Sequence, residues 1–181
     1  MKQTILAQRY AKAIFSIGQE QGTYEGFLEE LEGFAALFSE SQEVADALTN
    51  PLYPLEVREK VMVDLAGSMG LDATMAKFLR LLVQKKRIEI LPEIAEAYKG
   101  MVDEVKNISH GNVVAAVELS EDLKSNIQKV LETLTGKKVE LTTSVDPSII
   151  GGIVAKVGDL VLDGSIKTQL AGLKDSIKGR E

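Results

Sequence analysis

The stretch VDPSIIGGIVAKVGDLVLDGS, residues 145–165, carries the most specific structural signal in the chain. Its glycine pair, Gly151 and Gly152, raises the question of a phosphate-binding loop. A Walker loop has the form G-x-x-x-x-G-K-[ST], and a dinucleotide loop has the form G-x-G-x-x-G. The second Walker glycine would fall at Lys156 or Val157, and Val154 stands two residues after Gly152. Both forms fail, so the pair predicts a turn or bulge between strands, where the backbone needs positive φ or close approach.

Apolar patterns on either side of this stretch predict a small α+β domain with the order β-α-β-β-β-α. Strands are predicted at Val113–Leu119 and Lys137–Val145, and Gly158–Asp159 is predicted to close a tight hairpin. Between the first two strands, Ser120 is a predicted N-cap and Gly136 the residue that ends the helix. The predicted apolar positions are Leu123, Ile127, Val130, Leu131 and Leu134 in that helix, and Ile166, Leu170, Leu173 and Ile177 in a last helix.

The first half of the chain has the apolar period of α-helices throughout, with breaks that divide it into six segments. The third segment ends at Asn50–Pro51, because the residue before proline avoids the helical region. Pro54 suits the first turn of the fourth helix, and Asp72 suits the N-cap of the fifth. We therefore expect an all-α six-helix bundle over residues 1–106 and the α+β domain over residues 107–181. The predicted stripes include Leu6, Tyr10, Ala13, Ile14 and Ile17 in the first helix, Leu55, Val61 and Leu65 in the fourth, and Met75, Phe78, Leu79 and Leu82 in the fifth.

The composition of the 181 residues is that of a globular protein, with 45% hydrophobic and 27% charged residues. A net charge of −6 argues against a nucleic-acid partner, which requires a basic surface, and the run QKKR at Gln84–Arg87 is interpreted as a solvated helix end. The absence of cysteine excludes disulfides, thiolate zinc sites and cysteine nucleophiles. No apolar run approaches the roughly 20 residues of a membrane span, so we expect no membrane insertion. The basic, amphipathic first 19 residues are interpreted as a folded helix rather than a transit peptide.

Candidate catalytic groups are few in this sequence. His110 is the only histidine, and it falls at the predicted domain junction, where we expect a linker residue. Nucleophilic catalysis needs a convergent nucleophile, base and orienting group, which the sequence does not supply. The acidic residues Glu29, Glu30 and Glu32 are interpreted as a solvated helix face. The sequence therefore predicts no catalytic residue, no metal and no cofactor.

Three stretches together match the pattern of one known family. They are AQRYAKAIFSIGQEQG at Ala7–Gly22, FLRLLVQKKRIEILPEIAEAY at Phe78–Tyr98, and the stretch Val145–Leu173, which is the most specific. In their order and spacing the chain resembles the delta subunit of bacterial and chloroplast rotary ATP synthases, the counterpart of the mitochondrial oligomycin-sensitivity-conferring protein. One departure is Val117–Glu118, where the family often has a pair of small residues.

The resemblance implies a non-catalytic stator connector, one copy per complex, at the cytoplasmic face of the bacterial inner membrane. Such a subunit links the catalytic head to the peripheral stalk and resists the torque of the rotor during proton-driven ATP synthesis. The helical domain would hold the N-terminal helix of an alpha subunit, and the α+β domain would meet the b subunits through its last helix and the turn before it. By position, the helix groove would be formed by Tyr10, Ala13 and Ile14 from the first helix and by Phe78, Leu81 and Leu82 from the fifth. Small Ala11 and Ala13 would let a partner backbone approach.

Two other functions stay open at the level of the sequence. The glycine-rich stretch is compatible with a small nucleotide-binding enzyme, and the helical half with a free-standing adaptor unrelated to ATP synthase. A bacterial source is favoured over a processed organellar chain.

Overall fold

The computed structural model of the chain describes residues 2–158 and 160–170. Two compact units divide the chain after Val102. Helices make up the first unit, and a mixed four-stranded sheet with helical segments makes up the second. The predicted fold class, a helical bundle followed by a small α+β unit, is confirmed.

The N-terminal unit begins with long helices whose ends follow local sequence signals. Ser41 and Asp72 accept hydrogen bonds at the N-termini of two helices, and Gly70 ends another in the left-handed conformation. Pro92 lies in the first turn of the sixth helix, where proline is tolerated. The elements are α1 (Lys2–Gln21), α2 (Tyr24–Glu40), α3 (Gln42–Thr49), α4 (Leu55–Met69), α5 (Ala73–Gln84), a 3-10 turn (Ile88–Ile90) and α6 (Leu91–Lys106).

The buried faces of two helices differ from the predicted stripes. In α1 the inward residues are Ala7, Ala11, Ile14, Phe15 and Gly18, whereas predicted Ala13 and Ile17 are exposed. The buried face is rotated relative to the predicted stripe because small residues allow close helix packing. A hydrophobicity pattern does not take this packing into account. In α4 the buried residues are Arg58, Met62 and Ala66, whereas predicted Leu55 is 40% exposed and Val61 and Leu65 are half-buried. The predicted stripe of α5 is buried as expected.

The C-terminal unit is built on one βαβ crossover with a hairpin added beside it. Strand β1 pairs in parallel with β2 and antiparallel with β3, and β3 pairs antiparallel with β4, giving the order β2-β1-β3-β4. The elements are β1 (Ile108–Ala115), α7 (Glu121–Thr135), β2 (Lys138–Val145), a 3-10 turn (Pro147–Ile149), β3 (Ile153–Val157) and β4 (Leu160–Asp163). Residues 166–170 are helical at the start of the predicted last helix, whereas predicted Leu173 and Ile177 lie outside the described residues.

The first strand starts and ends earlier than predicted, because its pairing is set by distant residues. It covers Ile108–Ala115 instead of Val113–Leu119. At Gly111, a Cβ would lie 2.9 Å from Leu141 Cδ2 and 3.0 Å from Val157 Cγ2, so glycine lets the flanking strands' side chains meet there. His110 is therefore a strand residue, and its interpretation as a linker residue was wrong.

The glycine-rich stretch forms turns, as its sequence predicts. Gly152 has φ of 79°, and a Cβ there would overlap the carbonyl oxygen of Gly164. The Gly151 carbonyl accepts from the Ile166 amide at 3.0 Å, which ties this turn to the start of the last helix. Val157 pairs with Leu160, and Gly158 between them has φ of 56°. Asp159 of the predicted hairpin turn lies outside the described residues.

We predict that Gly152→Ala destabilises the C-terminal unit by about 2–4 kcal/mol, because it combines left-handed strain with a backbone clash. Gly158→Ala is the matched control, since Gly158 has positive φ but no atom within 4 Å of an added Cβ. We expect the control to cost about 1–2 kcal/mol. Denaturant unfolding followed by the amide signals of β3 measures both. Equal losses for the two variants would contradict the proposed close contact with Gly164.

Candidate partner-binding groove

One aromatic contact joins the two helices that were predicted to form the groove. The rings of Tyr10 on α1 and Phe78 on α5 meet edge to face, with centroids 6.4 Å apart and planes at 65°. Edge-to-face contacts of this kind stabilise by about 0.5–1.5 kcal/mol beyond the area they bury. Tyr10 is half-buried and Phe78 is 8% exposed, so this contact between α1 and α5 lies largely below the surface.

The six predicted groove residues divide between the core and the surface. Ile14 and Leu82 are fully buried members of the hydrophobic core and do not reach the surface. Ala13 is exposed, and Leu81 is 40% exposed. Ala11, which was expected to admit a partner backbone, is fully buried. Of the six predicted groove residues, Ala13 and Leu81 are therefore the exposed ones, and exposed Ile17 continues the line of Ala13 along α1.

An aromatic cluster fixes how α1 lies against α2 and α6. Phe15 packs edge to face on Tyr24 and Tyr98, with centroids 6.2 Å and 5.5 Å away. The Tyr98 hydroxyl donates to the Tyr24 carbonyl at 3.0 Å. At Gly18, a Cβ would lie 3.0 Å from Tyr24 Cα, so glycine allows this close approach. Burial raises the pKa of Tyr98 to about 12.

Polar contacts hold both ends of α5. At its start, Asp72 Oδ1 accepts from the Thr74 amide at 2.7 Å, and this hydrogen bond lowers the pKa of Asp72. The Asp72 amide donates to Glu30 Oε1 at 3.1 Å, so Glu30 is a tertiary contact rather than part of a solvated face. Burial raises the pKa of Glu30. Further along, Arg80 Nε donates to Glu59 Oε2 at 2.7 Å and lowers the pKa of Glu59, which ties α5 to α4.

A rigid pair of helices with an apolar line between them can bind a further helix. Helix-in-groove recognition places the apolar face of an amphipathic segment against such a line. Ala13 offers no side chain beyond Cβ, which permits close backbone approach. Leu81 and Ile17 offer apolar area that a partner would remove from water.

The C-terminal unit has a second exposed apolar surface. The sequence pattern predicted its residues as apolar positions of α7 but did not predict that they are exposed. Leu123, Val130 and Leu134 follow one stripe of α7 and are each more than half exposed. An apolar cavity of about 360 Å³ lies beside this stripe, against β3 and β4. The lining residues are Asn126, Ile127, Val130, Leu131, Ile153, Ala155, Leu162 and Gly164.

The single histidine lies in an acidic setting on the same unit. His110 Nε2 is 2.8 Å from Asp103 Oδ2, and His110 Nδ1 is 3.7 Å from Glu140 Oε2. Across residues 2–158 and 160–170, no group of three or more histidine, aspartate or glutamate side chains could hold a metal ion. None of the helices in the described part of the chain is long and apolar enough to cross a membrane.

Solved structures identify the class of this fold. A chain in the mitochondrial ATP synthase hexamer of Toxoplasma gondii matches with a TM-score of 0.68 at 23% identity, covering 95% of this chain and 97% of that one. A chain in the Polytomella F-ATP synthase matches with a TM-score of 0.51 at 21% identity over 55% of this chain and 89% of that one. The fold is that of a subunit found in rotary ATP synthases.

Sequence relatives define the family. ATP synthase subunit delta of Desulfotalea psychrophila is 70% identical over 181 residues, covering 100% of both chains. The subunit delta of Desulfosudis oleivorans is 45% identical, covering 100% of this chain and 99% of that one. The family model described as ATP synthase delta (OSCP) subunit matches residues 6–177. The chain belongs to this family and is a structural part of the ATP synthase complex.

We predict that Tyr98→Phe lowers the free energy of unfolding by about 1 kcal/mol at neutral pH, since the Tyr24 carbonyl loses its donor. It also flattens the alkaline pH dependence. The pKa of an unfolded tyrosine is 10.0, whereas that of folded Tyr98 is about 12. The unfolded state therefore loses its proton first, and the stability of the wild type falls as pH rises through this window. Denaturant titrations from about pH 7 to about pH 11 test this. Tyr53→Phe, at an exposed tyrosine, is the matched control. Superimposable curves for Tyr98→Phe and wild type would contradict the prediction.

Proposed function

We propose that this chain is the non-catalytic stator connector of its ATP synthase, joining the catalytic head to the peripheral stalk. In this role the N-terminal unit binds the N-terminal helix of an alpha subunit, and the C-terminal unit binds the b subunits. The chain then works at the cytoplasmic face of the bacterial inner membrane, one copy per complex, without inserting into the bilayer. Membership of the delta family supports this role.

The observation that supports the head contact is the ring contact of Tyr10 and Phe78 between α1 and α5. We propose a groove with these two rings at its floor and with exposed Ala13 and Leu81 as its walls. Ile14 and Leu82 lie beneath and hold the two helices in place. We propose that the alpha-subunit helix lies on this line, touching Ala13, Leu81 and the ring edges.

The strength that a stator needs favours apolar contact over isolated ion pairs. A Kd of about 1 nM corresponds to roughly 12 kcal/mol. Exposed ion pairs contribute about 0–1 kcal/mol each, whereas a large apolar side chain contributes about 1.5–3 kcal/mol when fully buried. An amphipathic helix that places several apolar residues on this line therefore reaches the required range.

For the stalk contact we propose the start of the last helix and the turn before it. Ile166 and Leu170, at the start of the predicted last helix, are 43% and 54% exposed. The Ile166 amide donates to the Gly151 carbonyl, which ties the start of this helix to the turn at Gly151 and Gly152. An exposed apolar surface of this kind is typical of a protein–protein contact.

We predict that Leu81→Asp weakens binding of the alpha subunit's N-terminal segment to the full chain at least about 30-fold, because a carboxylate would be desolvated in the contact. Val63→Asp is the matched control, since Val63 on α4 is similarly exposed but lies on a different helix from those of the groove. Isothermal calorimetry measures both variants. Loss of affinity in the Val63→Asp control equal to that in Leu81→Asp would contradict this placement of the groove.

The connector role is tested by reconstitution. Adding the full chain to membranes stripped of their delta subunit is expected to restore proton-coupled ATP synthesis, and Leu81→Asp is expected to restore much less. If ATP hydrolysis by the detached head changes when the chain is added but coupled synthesis does not return, the connector role is wrong.

A further inference from the structure

The two helices that form the groove are basic, although the chain as a whole is acidic. Residues 5–21 contain Arg9 and Lys12 against a single acid, Glu20. Residues 73–87 contain five basic residues and no acidic one, whereas the net charge of the chain is −6. This local excess of positive charge is therefore a specific feature of α1, α5 and the residues that follow α5.

Three of these bases lie beside the accessible walls of the groove. Residues four apart are neighbours on a helix surface. Arg9 is four residues before Ala13, and Lys77 and Lys85 stand four residues before and after Leu81. All three bases are exposed. The apolar line therefore has a positive rim on both helices, which we call the basic rim: Arg9, Lys77 and Lys85.

Among the described residues, the basic rim has no counter-charge. Within residues 2–158 and 160–170, no ion pair or side-chain hydrogen bond involves Arg9, Lys77 or Lys85. Arg80, by contrast, is held by Glu59 on α4. The rim charges are therefore available to a partner, whereas the charge of Arg80 is already satisfied within the bundle.

We propose that the segment bound in the groove is an acidic amphipathic helix, whose carboxylates flank its apolar stripe and pair with the basic rim. This rests on the proposed head contact and adds the charge of the partner to it. An apolar line bordered by bases on both sides complements one helix with an apolar centre and acidic edges. Charge complementarity of this kind sets the orientation and register of a complex and raises its association rate.

The rim also distinguishes a helix from the other anionic partners. An anionic membrane or a nucleic acid needs a broad basic surface, whereas here the bases are separated by the apolar walls Ala13 and Leu81. Lys12 provides an internal control, because it is exposed on α1 but lies away from the groove-facing line of Tyr10, Ala13 and Ile17.

The test measures binding of the alpha subunit's N-terminal segment to the full chain by calorimetry at about 50 mM and about 500 mM salt. We expect Lys77→Glu and Lys85→Glu each to weaken binding about fivefold at low salt, with the difference largely lost at high salt. Lys12→Glu is expected to change affinity less than twofold. A peptide in which every Asp and Glu is replaced by its amide is expected to bind about tenfold more weakly to wild type, and equally to wild type and rim variants.

The outcomes separate this inference from the proposed head contact. Suppose that the wild-type chain binds the segment, and that neither the rim substitutions nor the amide peptide weakens this binding. The acidic-helix inference is then overturned and the head contact stands. If wild type does not bind the segment at all, both are overturned. A further measurement uses vesicles rich in phosphatidylglycerol. If Lys77→Glu and Lys85→Glu abolish binding of the chain to these vesicles but not to the peptide, the rim binds a membrane and the inference is wrong.

Discussion

The packing of α1 against α2 and α6 depends on the close approach of these helices at Gly18. Tyr24 Cα and the Tyr98 hydroxyl would lie 3.0 Å and 3.1 Å from a Cβ at this position. Because glycine leaves that space, Tyr98 reaches the Tyr24 carbonyl and Phe15 packs against both tyrosine rings. These contacts fix the rotation of α1 about its own axis, and this rotation is what places Ala13 on the surface beside α5. The exposed position of Ala13 thus depends on the close approach that Gly18 allows.

Features that are set by neighbouring residues could be predicted from the sequence. The N-caps Asp72 and Ser120 and the left-handed Gly136 follow from side chains and dihedral preferences within one turn. The turn at Gly152 could be recognised in the same way. The rotation of α1 could not, because it depends on contacts with Tyr24 and Tyr98 that lie on other helices. For the same reason the resemblance grouped Ile14 and Leu82 with Ala13 and Leu81, although the first two are buried and the last two are exposed.

The first strand shows how a distant contact can override a local pattern. Ser109, His110, Gly111 and Asn112 have little intrinsic preference for strands, so the local pattern predicts the strand in the apolar run that follows them. The strand nevertheless covers them, because β2 pairs with all four, β3 pairs with Gly111 and Asn112, and side chains of both strands meet over Gly111. The contacts of His110 with Asp103 and Glu140 likewise could not be predicted from the residues that neighbour His110 in the sequence.

The two units differ in the size of the hydrophobic core that stabilises each of them. Among the described residues, the hydrophobic core of the first unit contains 23 buried side chains, and that of the second contains five. Small cores give marginal stability, and a partner that binds only the folded state adds to it by mass action. The second unit also exposes Leu123, Val130 and Leu134 along one face of α7. A partner that covered this face would bury apolar area beside the smaller of the two described cores and would stabilise the folded second unit.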